Sequence, residues 1–143
     1  MTRPSILMID PSPESVELAR FSLWRSQLDC SFGWFEDAEQ AADSLFSDEA
    51  AAQAAVTLPF LILLESRLPR MDGLEFLQQL RSHEHTRTLP VVMFSSSNDA
   101  PDVARAYAAG ANGYALKPVD AREFMKTVVD TVSYWLNCNQ LGR

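Results

Sequence analysis

Phe60-Leu61-Ile62-Leu63-Leu64-Glu65-Ser66-Arg67-Leu68-Pro69-Arg70-Met71-Asp72-Gly73-Leu74-Glu75-Phe76-Leu77, residues 60–77, reads as a strand, a loop and the opening of a helix. Phe60 to Leu64 is apolar throughout. A strand covered on both faces has that character, and parallel sheets flanked by helices bury strands in this way. The run breaks at once into Glu65, and Leu68 to Gly73 forms a loop. Leu74, Phe76, Leu77 and Leu80 then recur at helical spacing, to about Ser82.

The same alternation extends in both directions. Upstream, Ser5 to Ile9 is a strand ending at Asp10. Ser12-Pro13-Glu14 opens a helix, with a hydroxyl cap, a proline in the first turn and an acid at the positive end of the dipole. That helix runs to about Gln27, with Val16, Ala19 and Leu23 on one face. Cys30 to Phe35 reads as the second strand. Asp37 caps the next helix, and the Ala-rich stretch 49–55 either lengthens it or follows a short break. Downstream, Pro90 to Phe94 is a fourth strand, and a helix runs from Asp99 to Gly110. Gly113 to Leu116 is a fifth strand, and Asp120 caps a last helix through Trp135 and Leu136. Five strand–helix units in a row predict one α/β domain, a five-stranded parallel sheet with helices on both faces.

With 143 residues, 47% hydrophobic and 22% charged, the chain has the composition of a folded domain. The net charge of −7 disfavours a general phosphate-backbone binder, so no DNA is expected as a partner. No apolar run is long enough to span a bilayer, and residues 1–5 enter a strand directly with no signal-peptide core. A cytoplasmic location away from membranes is therefore expected. Cys30 and Cys138 form no CxxC pair and are expected as reduced thiols. His83-Glu84-His85 is a poor zinc pattern and reads as a solvated loop. No GxSxG elbow follows a strand, and no GxGxxG or Walker pattern is present, which leaves a flavodoxin-like small-molecule enzyme as a remote alternative.

In doubly wound sheets the chemistry gathers where the strands end. Four predicted strand ends are polar: Asp10, Glu65, Ser95 and Lys117. Two carboxylates, a hydroxyl and an ammonium in one crevice form a coupled charge cluster.

These residues sit in longer motifs: Ile6-Leu7-Met8-Ile9-Asp10, Leu61-Ile62-Leu63-Leu64-Glu65, Leu68-Pro69-Arg70-Met71-Asp72-Gly73-Leu74-Glu75, Pro90-Val91-Val92-Met93-Phe94-Ser95, and residues 110–118, GANGYALKP. On them the chain resembles a receiver domain of two-component response regulators, the fold of the chemotaxis response regulator. The long second-helix region and Ser133-Tyr134-Trp135-Leu136 are similar to the single-domain regulators that accompany phytochromes. The resemblance implies a flavodoxin-like (βα)5 receiver over residues 1–143, with no output domain and no enzymatic activity of its own. It implies that an acid ending the third strand takes phosphate from a histidine kinase. Two acids after the first strand would help hold Mg²⁺, and Ser95 and Lys117 would contact the phosphoryl group. It further implies a cis Lys117–Pro118 bond, and a Tyr114 that changes rotamer on activation.

Two positions depart from that pattern. Pro11 replaces the second acid and offers no side-chain oxygen, and Glu65 replaces the acceptor aspartate. Mg²⁺ demands near-octahedral oxygens, so its binding is expected to be weak or lost, and no cofactor is expected. The extra methylene of Glu65 displaces the oxygen from in-line geometry. It also pushes a negative oxygen toward where a phosphoryl oxygen would sit, so Glu65 is expected to act as a partial phosphomimic paired with Lys117. Arg67, two residues on, is expected to reach Asp10 or Glu65 or else to lie exposed. The expected protein is a degenerate receiver signalling by docking. Its partner is a sensor histidine kinase, with the phytochrome type among the candidates, or a downstream protein. The alternative is weak residual phosphorylation. The expected docking face is the helix after strand four, strand five and the last helix. Met125, Val129, Leu136 and Tyr134 beside the core stripe of that last helix suggest a homodimer.

Overall fold

The computed structural model describes residues 3–53 and 58–141. The strands are β1 (Ser5–Ile9), β2 (Ser31–Phe35), β3 (Leu61–Leu64), β4 (Val91–Ser95) and β5 (Gly113–Leu116). The helices are α1 (Pro13–Arg25), α2 (Ala38–Leu45), α3 (Asp48–Ala52), α4 (Gly73–Ser82), α5 (Ala100–Ala108) and α6 (Ala121–Asn137). All strand pairs are parallel, in the order β2-β1-β3-β4-β5. This is a doubly wound, flavodoxin-like (βα)5 architecture, as expected.

Alternate residues of each strand feed opposite faces, as the two-residue period of a strand dictates. Ile9, Ile62, Leu64 and Met93 join Ala38, Ala41, Phe76, Leu77 and Ala106 on one side. Ile6, Met8, Leu61, Leu63 and Phe94 join Val16, Ala19, Leu23, Phe124, Val128 and Val132 on the other. The apolar run of β3 is fully buried because it lies in the centre of the sheet. Ser12, Asp37, Asp72 and Asp120 all cap their helices by accepting a backbone N–H three residues on.

Four local expectations are refined. α1 stops at Arg25, and Gln27 turns the chain with φ 57°. The second helical region breaks at Phe46, and Ser47 caps a separate α3; Ala54 and Ala55 lie outside the described residues. The hydroxyl of Ser47 takes the N–H of Ala50, which offers the backbone a new start that alanine propensity alone does not show. The histidine loop is docked rather than merely solvated. The His83 ring stacks on Phe46 at 4.2 Å, and His85 Nε2–H donates to the Leu45 carbonyl at 2.7 Å, closing the α2 C-terminus. The Lys117–Pro118 bond is trans, against the expected cis. The tertiary amide leaves only about 0.5–1 kcal/mol between the isomers, so surrounding contacts decide. Here Lys117 keeps its N–H on the Ser95 carbonyl at 2.6 Å.

Cys30 and Cys138 are free thiols, and burial pushes the Cys30 thiol up. Among the described residues no helix is long and apolar enough to cross a membrane.

Candidate functional site

Parallel register assembles the site. Ile9 pairs with Leu64, so Asp10 and Glu65 leave adjacent strands side by side. Ser95 pairs with Leu116, so Lys117 emerges just beyond Ser95. The Glu65 N–H donates to the Ile9 carbonyl at 3.0 Å and fixes this stagger. Asp10, Glu65 and Ser95 are all buried.

The Lys117 ammonium lies 2.5 Å from Asp10 Oδ2 and 2.9 Å from Glu65 Oε1. The remaining carboxylate oxygens are also engaged. Asp10 Oδ1 accepts the Ser12 N–H at 2.8 Å. Glu65 Oε2 accepts the N–H groups of Ser66 at 2.7 Å and Arg67 at 3.2 Å, and the Ser66 hydroxyl at 3.3 Å. Burial acts to lower the Lys117 pKa, but hydrogen bonds to Asp10 and Glu65 and the attraction of both charges overcome it, and the net direction is upward. The lysine is therefore held as a cation between two acids.

Ser95 meets Glu65 through an intermediary. Its Oγ lies 2.7 Å from Ser66 Oγ, and it accepts the Ser97 N–H at 3.2 Å. Tyr114 donates its hydroxyl to the Ser97 carbonyl at 2.6 Å. The Ser97 hydroxyl in turn donates to Asp102 at 2.5 Å. That bond is the main cause holding the Asp102 carboxyl below the usual range, with Arg105 and Arg67 adding to it. Glu65, Ser66, Ser95, Ser97 and Tyr114 thus form one hydrogen-bonded path from the buried acid to the α5 side of the sheet.

Arg67 lies exposed, as the second of its two expectations has it. Its backbone N–H serves Glu65, while its side chain lines a cleft with Asp72, Asp102 and Arg105. The cation at Asp10 and Glu65 is Lys117, and a second one there would meet a carboxylate pair already satisfied. Two contributors escaped the sequence reading. One is Ser66, visible only as the hydroxyl next to Glu65. The other is Trp34, whose indole N–H donates to the Asp10 carbonyl at 2.8 Å. No local pattern signals that contact, since it depends on Trp34 pairing with Met8 across β1 and β2.

The β3–α4 loop is held close to the site. A Cβ on Gly73 would stand 2.4 Å from the Glu65 carbonyl, so only glycine permits this approach of α4 to the backbone beneath the acid. Arg70, at φ 64°, ties the loop to Asp37 at 2.8 Å and Glu39 at 3.0 Å.

Mg²⁺ requires about six oxygens at roughly 2.0–2.1 Å, and the side-chain carboxylates at these strand ends, Asp10 and Glu65, are both already on Lys117. Pro11 supplies no side-chain oxygen, and the lysine ammonium lies against both carboxylates. Among the described residues no three His, Cys, Asp or Glu side chains are grouped to hold a metal ion.

Comparison with known proteins agrees with this architecture. The chain is 36% identical over 107 residues to the probable methanogenesis regulatory protein FilR2 of Methanothrix harundinacea, covering 75% of this chain and 67% of that one. It spans only 47% of a further curated relative, the transcriptional regulator RpaA of Synechocystis. Its fold matches the phosphorylated cyanobacterial phytochrome response regulator RcpA with a TM-score of 0.88, at 24% identity and over 99% and 100% of the two chains. It matches the Mn²⁺-bound form of response regulator Rcp1 with a TM-score of 0.83, at 26% identity and over 98% and 99%. The profile of the response regulator receiver domain covers residues 6–129, from the first strand well into the last helix. A match of that extent, on a sheet of this order, places the chain in the response regulator receiver domain family.

Proposed function

We propose that this chain is an atypical two-component response regulator whose receiver no longer accepts a phosphoryl group and which signals from the cytoplasm by docking to another protein. The observation that carries the reading is the Lys117 ammonium clasped between Asp10 and Glu65. Phosphoryl transfer needs a cation on the transferring oxygens and room for in-line attack. Here the resident cation is a lysine, and Glu65 Oε2 is turned onto the Ser66 and Arg67 N–H groups. Glu65 acts as a partial phosphomimic, since a carboxylate carries one charge where a phosphoryl group carries about −1.5 to −2. The hydrogen-bonded path to Tyr114 transmits that state to the face formed by α5, β5 and α6. A sensor histidine kinase of the phytochrome type, or a downstream signalling protein, reads that face. In this reading the receiver itself carries neither DNA binding nor catalysis. The expected result of incubation with acetyl phosphate and Mg²⁺ is an unchanged intact mass; a stoichiometric gain of one phosphoryl group would favour a working acceptor and end the proposal.

Homodimerisation through α6 and its neighbours belongs to the same reading. Leu116, Tyr107 and Tyr134 are exposed on β5, α5 and α6, an apolar set that a second copy could cover. Met125 and Val129, beside the core stripe of α6, line a cleft toward α1. Sedimentation at micromolar concentration is expected to show a dimer, and a monomer at tens of micromolar would remove this part.

A further inference from the structure

The seam between α1 and α6 holds a feature that the Lys117 site does not use. The helices meet over Val16, Ala19, Leu23, Phe124, Val128 and Val132. Outside this buried layer the seam opens into a cleft of about 500 Å³, on whose surface Met125 and Val129 lie half-buried. Arg25 of α1 and Arg122, Lys126 and Asp130 of α6 also line it. Asp130 closes Lys126 at 2.7 Å. Arg25 and Arg122 have no carboxylate partner among the described residues. Glu123 attracts Lys126 but does not line the cleft.

Two uncompensated guanidinium groups in one cleft run against the charge of the chain, which has 19 acids to 12 bases. One helical turn before Arg25, Phe21 is 46% exposed, and its ring lies 5.9 Å from that of Trp24, which is 74% exposed. Arginine forks match carboxylates in paired hydrogen bonds, and exposed aromatic rings supply contact area at small entropic cost. Cationic walls, an apolar floor and exposed aromatic rings elsewhere on α1 suit a ligand that alternates acids with apolar side chains.

We propose that the α1–α6 cleft docks an acidic amphipathic segment of a partner protein, its carboxylates on Arg25 and Arg122 and an apolar side chain on Met125 and Val129. Helices commonly bind grooves in this way, through anchors three and four residues apart. The inference stands apart from the fate of Glu65, because none of these residues belongs to the buried site.

The probe is a fluorescein-labelled helical peptide with leucines at i, i+3, i+4 and i+7, flanked by glutamates. Its control carries lysines in place of the glutamates. The intact chain is expected to bind the glutamate peptide saturably, to weaken as salt rises, and to ignore the lysine peptide. Arg25→Glu with Arg122→Glu is expected to weaken binding by roughly tenfold or more, as charge reversal at a partner-facing site does. Thermal unfolding of that variant checks its fold, and Phe21→Ala with Trp24→Ala gives a second route that leaves the charges in place. No saturable binding up to millimolar peptide would overturn the proposal. So would equal binding of the lysine peptide, or indifference to both double variants. Self-association broken by the charge reversal would assign the cleft to a second copy instead, and arginine-dependent capture by phosphatidylserine vesicles would assign it to a membrane; either defeats the proposal.

Discussion

Replacing Lys117 with methionine is expected to cost about 3–5 kcal/mol of stability at neutral pH, the usual penalty for removing one partner of a buried ion pair. The reason is the company that remains. Asp10 and Glu65 are both buried, and both carboxylates face the position the ammonium vacates. Two acids left facing each other without a cation repel, and neither can recover full hydration. Urea unfolding at pH 7 measures the loss, and a change under about 1 kcal/mol would mean that water already shields the cluster. The wild type has an alkaline limit. Its Lys117 pKa is raised on folding, so the contribution is complete below the unfolded lysine value of about 10.4 and is lost as pH rises through the higher folded value. The wild-type midpoint should therefore fall steeply only in strongly alkaline buffer, and the methionine variant should lack that step.

Pro11→Asp combined with Glu65→Asp is expected to restore Mg²⁺-dependent phosphorylation. The shorter side chain at 65 withdraws its oxygen from Lys117 and reopens the in-line position. The new acid at 11 supplies the oxygen ligand that proline lacks, and lets a divalent ion compete with the lysine for Asp10. Neither change alone meets both needs, so each single variant should gain little mass with acetyl phosphate while the pair approaches one phosphoryl group per chain. Position 11 is exposed, which makes the substitution a mild one for the fold. If the double variant stays inert, the lost chemistry lies elsewhere, with the satisfied hydrogen bonds of Ser66 to Ser95 as the next suspect.

Much of this was legible in residue order. The buried run of β3, the four polar strand ends and the capping residues Ser12, Asp37 and Asp120 are local patterns, and local physics settles them. The substitutions at 11 and 65 are equally plain, because the absence of an oxygen or the presence of a methylene is a property of the residue itself. What Lys117 does with its charge is another matter. Its hydrogen bonds cross 107 and 52 positions of sequence to reach Asp10 and Glu65. Parallel register alone brings those three together, and a shift of one residue would turn each side chain to the other face. The same holds for Trp34 on the Asp10 carbonyl, for Arg67 serving through its backbone, and for the trans bond at Pro118, whose two isomers differ too little for the dipeptide to choose. The chain by itself determined which groups are available and where strands and helices begin. Only the packed sheet decided which charges meet, because meeting depends on register between distant strands and on water being excluded around them.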